Sequence, residues 1–264
     1  MSGSGNDFII IDNRQKIVDE ADLPHFIERV CQRKISVGAD GLILIEPSAR
    51  VDFKWRFFNS DGSLADMCGN GARCAARFAY IMGIASTDMS FETDAGIVGA
   101  QVKGERVKVK MPDPTDLRLD VEVVLEGGKQ TVNSLNTGVP HAVILRNQIE
   151  DLDVVKLGRE IRYHPDFSPA GTNVNFICRQ KKNDISIRTY ERGVEDETLA
   201  CGTGSIAGAI VGAVKLGLQS PVQVRVRSGS YLSIYFAEID GQYKDIYMEG
   251  DARIIYTATL GEDA

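Results

Sequence analysis

Runs of apolar residues separated by turn residues divide the chain into many short strands and a few helices. In the first half the pattern predicts strands over residues 7–12, 42–46, 52–58, 89–93, 97–102 and 106–111. In the second half it predicts strands on both sides of Gly127 and Gly128 and over residues 142–145, 173–178, 185–190, 222–226, 231–236, 243–248 and 253–257. Helices are predicted over residues 23–33 and 154–162. Short strands at this spacing favour antiparallel hairpins.

Two further helices are predicted after Cys68 and after Cys201, in the segments CGNGARCAARFAYIMG and CGTGSIAGAIVGAVKLG. Residues 206–214 leave no polar face, and a helix of this kind must be enclosed by other elements. We therefore predict an α/β (α+β) protein of two similar halves, each a curved, mainly antiparallel sheet wrapped around one central helix. Pro112-Asp113-Pro114 interrupts the strand pattern and is the predicted boundary between the halves.

Composition narrows the class of function. The chain of 264 residues is long enough for two domains, and its net charge of -7 argues against a nucleic-acid partner or an anionic membrane surface. No apolar run approaches the ~20 residues that span a bilayer, and no secretory signal precedes the first strand. We therefore expect a cytoplasmic protein that acts on a small molecule. The five cysteines match no usual zinc spacing, so no metal is expected.

The two Cys-Gly-x-Gly segments predict the chemistry. A thiolate is the reactive form of cysteine, and the unpaired N–H groups of a helix start favour an anion there. The same N–H groups can hold a substrate carboxylate. Cys68 and Cys201, on facing halves, could thus remove a proton from one side of a carbon and return it from the other, which inverts a stereocentre.

Several polar residues beside these segments could hold an amino acid. A guanidinium pairs with a carboxylate through two hydrogen bonds, which makes Arg192 the strongest candidate. His141 and Glu191 could tune the thiols. Further candidates to grip amino and carboxylate groups are Asn6, Asn59, Asn70 and Asn173.

The segments that carry these residues resemble diaminopimelate epimerase over nearly the whole chain. The resemblance runs through GSGNDFIIID, SVGADGLILIE, FFNSDGSLADMCGNGARC, GVPHAV, GTNVNF, YERGVEDETLACGTG and YMEGDA. It implies epimerisation of LL-diaminopimelate to meso-diaminopimelate in lysine and peptidoglycan biosynthesis, without pyridoxal phosphate or another cofactor. We also expect a homodimer.

The resemblance also implies roles for individual residues. Cys68 and Cys201 would be the acid/base pair, and His141 and Glu191 would orient or polarise them. The implied substrate contacts are Asn6, Asn59, Asn173, Glu191 and Arg192, with the backbone of Gly69, Asn70, Gly202 and Thr203 at the reacting carboxylate. The implied halves are residues 1–113 with 247–264, and residues 114–246.

Three departures from the family pattern bear on these expectations. Val139 stands where many members have asparagine, which removes one side-chain contact to the distal end of the substrate. The segment between Arg192 and Cys201 is one residue longer than the commonest version. The chain begins at the methionine of the family's first Met-x-Gly, so an edge strand is expected to be missing.

Other interpretations remain open from the residues alone. Cysteine is a commonly buried residue, so Cys31, Cys74 and Cys178 are expected to be structural. The run GTGSIA fits a dinucleotide fingerprint, but the polar residues 195–198 precede it where a strand of a βαβ unit is needed. A proline racemase-like isomerase, a redox protein with a reversible disulfide and a phosphate-binding module are the alternatives. A substrate panel would test the racemase. The redox protein predicts turnover with thiol reductants, and the phosphate-binding module predicts nucleotide affinity that survives replacement of both cysteines.

Overall fold

The structure, a computed structural model, describes residues 1–65 and 67–261 of the chain. Contacts divide the chain into a first unit, Met1–Lys110 with Gly250–Ala264, and a second unit, Met111–Glu249. The predicted halves divided the chain after residues 113 and 246, three residues away from each of these divisions. The end of the predicted segment 247–264, residues 262–264, lies outside the described residues.

The first unit is a mixed sheet with two helices. Its elements are β1 (Ser2–Gly3), β2 (Asn6–Asp12), α1 (Leu23–Cys31), β3 (Gly41–Glu46), β4 (Phe53–Asn59), β5 (Leu64–Ala65), α2 (Gly69–Ile81), β6 (Asp88–Thr93), β7 (Gly96–Lys103) and β8 (Arg106–Lys110). α1 connects the parallel pair β2 and β3, and α2 connects the parallel pair β4 and β6. The remaining described pairs within this unit are antiparallel.

The sheet of the first unit curves around α2. This helix contacts β1, β2 and β3 at one end of the strand order and β7 and β8 at the other end. α1 covers the opposite face, where Leu23, Ile27 and Val30 pack with Leu42 and Leu44. Because β3 lies between two helical layers, it is buried on both faces and reads as a continuous apolar run.

The second unit repeats this plan with its own elements. They are β9 (Thr115–Leu125), β10 (Gly128–Asn136), β11 (Pro140–Leu145), α3 (Val154–Arg162), β12 (Asn173–Lys181), β13 (Asp184–Glu191), β14 (Asp196–Thr198), α4 (Gly202–Leu216), β15 (Val222–Arg225), β16 (Tyr231–Ile239) and β17 (Gln242–Asp251), whose end belongs to the first unit. α3 connects the parallel pair β11 and β12, and α4 connects the parallel pair β13 and β15.

α4 is the central helix of the second unit. It contacts β10, β11, β12, β13, β15 and β16, while α3 packs on β12 and β13 from the other face. The succession strand, helix, parallel strand, antiparallel strand, central helix, parallel strand is therefore the same in both units. The predicted fold class, α/β with mainly antiparallel sheets and a central helix in each half, is confirmed.

The two central helices are less completely enclosed than the sequence predicts. Residues Gly204 to Gly212 of α4 are buried, but Val214 in its last turn is 38% exposed. At the end of α2, Tyr80, Ile81 and Met82 are also exposed.

Among residues 1–65 and 67–261, no helix is long and apolar enough to cross a membrane.

The strand predicted over residues 253–257 is wrong. β17 ends at Asp251. Within residues 252–261 the backbone forms one isolated bridge, in which Ser2 and Arg253 exchange hydrogen bonds of 2.8 and 2.7 Å. The β-branched and aromatic residues of this segment are typical of a strand, but they do not provide a partner for its backbone. The short strands β5 and β14 were not predicted, because two or three residues carry no readable period.

Candidate active site

Cys68 and Cys201 are the N-cap residues of the two central helices. Both have extended backbone, with φ -141° and ψ 115° at Cys68 and φ -115° and ψ 113° at Cys201. Each Sγ accepts a hydrogen bond of 3.4 Å from the backbone N–H three residues later, at Gly71 and at Gly204. The predicted position of each thiol at a helix start is confirmed. A sulfur there lies at the positive end of the helix dipole, which favours a thiolate.

The two thiols differ from each other in exposure, and they differ from the remaining cysteines in lying at helix starts. Cys68 is half-buried, whereas Cys201 is 6% exposed and lies 3.5 Å from Thr203 Oγ1. Burial raises the pKa of Cys31 to about 11 and the pKa of Cys74 to about 12. These two thiols and Cys178 are buried away from helix starts, so they fit the structural role expected of them.

Close approach explains the glycines of the second helix start. A Cβ on Gly202 would lie 2.9 Å from Met248 Sδ, and a Cβ on Gly204 would overlap Asn175 Oδ1. At the first helix start the equivalent Gly71 has more room, with Ile43 Cδ1 as the nearest atom at 3.3 Å. The second thiol turn is therefore packed directly against the side chain of Asn175.

In the first unit, a chain of hydrogen bonds fixes two of the predicted substrate contacts. Arg73, which is fully buried in α2, donates to Asn70 Oδ1 at 2.9 Å. Asn70 Nδ2 donates to Asn6 Oδ1 at 2.6 Å, and Asn6 Nδ2 donates to Asp40 Oδ2 at 2.9 Å. Asn6 and Asn70 therefore lie together beside the Cys68 turn, each with its amide orientation set by a neighbour. Asp40 in turn accepts from Arg33 at 2.8 Å.

Arg73 also ties the first turn of α2 to the rest of the unit. Its guanidinium donates to the carbonyl oxygens of Gly69 at 3.4 Å and Asp251 at 3.3 Å, and to Ser4 Oγ at 2.8 Å. Asn59, another predicted contact, is exposed at the end of β4 and donates to Ser63 Oγ at 3.0 Å.

In the second unit, Asn173, Glu191 and Arg192 are brought together by the pairing of β12 with β13. Asn173 Nδ2 donates to Pro140 O at 3.1 Å, and its Oδ1 accepts from the Arg192 backbone N–H at 2.8 Å. The Arg192 guanidinium donates to Ala170 O at 3.1 Å. Burial raises the pKa of Glu191, although a 2.8 Å hydrogen bond from Thr198 acts in the opposite direction.

His141 pairs with Asn173 in the parallel register of β11 and β12 and is fully buried. Burial, with a smaller effect of the Arg192 charge, lowers the pKa of His141 to about 3. Its Nδ1 lies 3.0 Å from Asn175 Nδ2. Nearby, Thr137 Oγ1 donates to the carbonyl oxygen of Thr203 at 3.2 Å, which links this loop to the α4 start.

The residues that sequence reasoning missed are those that hold the predicted ones. Three of them are buried polar side chains within a helix or a strand, a pattern that marks a hydrogen-bonded network when the fold is known, and the fourth, Asp40, is partly exposed in the loop before β3. In α2 the signal was an arginine in the first turns of an alanine-rich helix, and in β12 it was an asparagine within NVNFIC. The missed residues are Asp40, Arg73, Asn175 and Thr189.

Solved structures share this fold. A phenazine biosynthesis protein of the PhzF family from Bacillus anthracis matches with a TM-score of 0.73 at 17% identity, over 95% of this chain and 92% of that one. A probable proline racemase from Agrobacterium radiobacter K84 matches with a TM-score of 0.67 at 18% identity, over 95% and 88%. The chain thus belongs to the class of proteins that share this fold, and in this chain a cysteine thiol lies at the start of each central helix.

Sequence similarity identifies the family within this class. The model of the diaminopimelate epimerase family matches residues 1–116 and 133–255. The diaminopimelate epimerase of Aquifex aeolicus is 44% identical over 100% of this chain and 97% of its own length. That of a Hydrogenobaculum species is 45% identical over 98% and 96%. The chain belongs to the diaminopimelate epimerase family.

Proposed function

We propose that this chain interconverts LL- and meso-diaminopimelate, a step of lysine and peptidoglycan biosynthesis, with Cys68 and Cys201 as the acid/base pair and no cofactor. One observation carries the proposal. In a chain of this family, the two units have the same succession of elements, and the central helix of each begins at a cysteine whose Sγ accepts a backbone N–H. Two equivalent thiols are what a two-base inversion requires.

The reaction consists of two proton transfers at one carbon. One thiolate takes the α-proton, which leaves the electron pair on the α-carbon beside its carboxylate. The other cysteine, as a thiol, gives its proton to the opposite face of that carbon, so the stereocentre inverts and the charge moves from one sulfur to the other. Exchange with water then resets the pair. Each sulfur needs a pKa near the working pH, and the helix starts favour the thiolate form.

The substrate contacts follow from the same placement. The backbone N–H groups at Gly69 and Asn70 and at Gly202 and Thr203 would hold the reacting carboxylate. Arg192 and Glu191 match a carboxylate and an ammonium group at the distal end of the substrate. Asn6, Asn59 and Asn173 would add amide contacts, and His141 and Glu191 would tune the thiols.

Three further statements belong to this proposal. The functional halves are residues 1–113 with 247–264 and residues 114–246. The enzyme works in the cytoplasm, and it does so as a homodimer. Analytical ultracentrifugation at assay concentrations tests the last statement, because a monomer with full activity contradicts it.

The experiment replaces each proposed acid/base residue in turn. Cys68→Ala and Cys201→Ala are both expected to abolish epimerisation, because each thiol acts on a different face of the carbon. Cys74→Ala is the matched control: it removes a fully buried thiol from within the helix that Cys68 caps. Circular dichroism confirms that each variant is folded.

The outcomes separate the possible mechanisms. Loss of activity in both variants with activity kept in Cys74→Ala supports two bases. Clear epimerisation by either the Cys68 or the Cys201 variant, in a preparation free of other epimerases, contradicts the assignment.

A further inference from the structure

His141 presents one satisfied and one unsatisfied ring nitrogen. The side chain is 0% exposed, and its Nδ1 lies 3.0 Å from Asn175 Nδ2. Its Nε2 is buried and has no hydrogen-bond partner among residues 1–65 and 67–261. A buried polar atom without a partner is unusual in a folded protein and points to a group that binds there.

The orientation of the Asn175 amide follows from its other neighbours. Asn175 Nδ2 lies 3.0 Å from the carbonyl oxygen of Ala142, which can only accept a hydrogen bond, so the amide nitrogen must face it. The Thr189 hydroxyl lies 2.9 Å from Asn175 Oδ1 and donates to it. Asn175 therefore directs its second N–H at His141.

This orientation determines where the ring of His141 carries its proton. Nδ1 must accept from Asn175, so it has a lone pair, and the single proton of the neutral ring is on Nε2. A proton added to Nδ1 would point at the N–H of Asn175. Burial and the positive charge of Arg192 oppose protonation as well, since they lower the pKa of His141.

The same asparagine contacts the turn that carries a proposed catalytic thiol. A Cβ on Gly204 would overlap Asn175 Oδ1 and would lie 3.2 Å from Cys201 Sγ. Asn175 thus packs against the first turn of α4 and also contacts His141.

We propose that Asn175 is a positioning residue that fixes His141 as the neutral Nε2–H tautomer. His141 then serves the epimerase as a hydrogen-bond donor to an anion and does not accept a proton from a thiol. The role in catalysis rests on the proposed function, whereas the tautomer is a property of the unliganded protein and can be measured without any activity.

The test is a long-range ¹H–¹⁵N correlation spectrum of the uniformly labelled protein without substrate. The chain has three histidines, so the His141→Gln variant identifies the His141 signals. We expect the pattern of the Nε2–H tautomer, unchanged from about pH 5 to pH 8, the range in which an ordinary histidine titrates. A proton on Nδ1, or titration of His141 within this range, would overturn the proposal.

A substitution of Asn175 tests the cause. In Asn175→Asp a carboxylate, which only accepts, faces Nδ1, so the His141 signals should change to a ring protonated at Nδ1. We expect kcat to fall on the order of a hundredfold, the size of the loss when one hydrogen-bond donor to a developing anion is removed, with a smaller change in KM. If His141 keeps the Nε2–H pattern in this variant, Asn175 does not fix the tautomer.

Asn133→Asp is the matched control. Asn133 is also a buried strand asparagine of the second unit, and its Nδ2 donates to Val143 O at 3.3 Å without contacting His141. It should leave the His141 spectrum unchanged. If Asn175→Asp fails to fold, the spectrum of the natural protein still decides between the two tautomers. If the tautomer is confirmed but no epimerisation is found, the proposed function fails and the structural assignment stands.

Discussion

Alanine in place of Gly204 should destabilise the protein much more than alanine in place of Gly71, although the two glycines hold the same position in the two helix starts. A methyl group at Gly71 would meet Ile43 Cδ1 at 3.3 Å and Trp55 Cζ3 at 3.4 Å, both ends of side chains. A methyl group at Gly204 would overlap the carboxamide oxygen of Asn175. At Gly71 only the ends of two apolar side chains have to move, whereas at Gly204 a hydrogen-bonded carboxamide has to move.

The size of the effect follows from the hydrogen bonds of Asn175. Its carboxamide bonds to His141, Ala142 and Thr189, all of them buried. Each buried polar group left without a partner costs about 1–3 kcal/mol. Alanine in a helix gains about 1 kcal/mol over glycine. If two of the three bonds are lost, the net loss of unfolding free energy at Gly204→Ala is about 3 kcal/mol.

At Gly71 alanine has the same advantage in helix propensity, and its methyl group makes a close contact that flexible side chains can relieve by moving. Gly71→Ala should therefore change the free energy of unfolding by less than about 1 kcal/mol. Urea unfolding followed by circular dichroism measures both variants, and unchanged m-values show that the comparison is valid. Equal stability of the two variants, or a larger loss at Gly71, would refute the packing described for the α4 start.

Three more predictions concern Arg73, Glu191 and the cysteines of the first unit. Arg73→Met should destabilise the protein by about 3 kcal/mol or more, because it leaves buried acceptors unpaired, and thermal unfolding measures this. Glu191→Gln should stabilise the protein at neutral pH, because burial raises the pKa of Glu191 and so disfavours its charged form in the folded state. Iodoacetamide at neutral pH should modify Cys68 before Cys74, whose pKa burial raises to about 12, as mass spectrometry of peptides can show.

Each of these has a clear contrary result. A natural-like melting temperature for Arg73→Met would mean that the hydrogen bonds of Arg73 do not hold the α2 start. The stability difference between Glu191→Gln and the natural protein should shrink as the pH falls through the raised pKa towards 4.5, the ordinary value for glutamate. A stability difference that grows as the pH falls would contradict a raised pKa of Glu191. Faster labelling of Cys74 than of Cys68 would contradict the exposure of the two thiols.

The sequence was sufficient for the central helices and their thiols. A glycine-flanked cysteine before an apolar run specifies an N-cap by local chemistry alone, and both Cys68 and Cys201 lie at such caps. Which strands pair in parallel and which pair antiparallel could not be predicted from local sequence, because strand partners are set by contacts between residues distant in the chain. The segment after Asp251 shows this limit, since its β-branched and aromatic residues are typical of a strand, whereas its described residues, 252–261, join no ladder.

The residues that support the site could not be identified from the sequence either. Asn175 lies in an apolar run, and only the register that places it opposite Thr189 and beside His141 explains a polar side chain there. Arg73 follows Cys68 closely in sequence, but its acceptors at Ser4 and Asp251 come from opposite ends of the chain. Local patterns identify the groups that react, whereas the tertiary fold identifies the groups that hold them.

The most direct test of the central claim is the fate of the α-proton. LL-diaminopimelate is incubated in deuterated water with the reduced protein and no added cofactor, and NMR follows both stereoisomers from the first turnovers. Two bases predict meso product that carries deuterium at the inverted α-carbon, because the returning proton comes from a thiol that has exchanged with solvent. Meso product that keeps the original proton would show a single base, and no exchange at all by folded, reduced protein would contradict the epimerase.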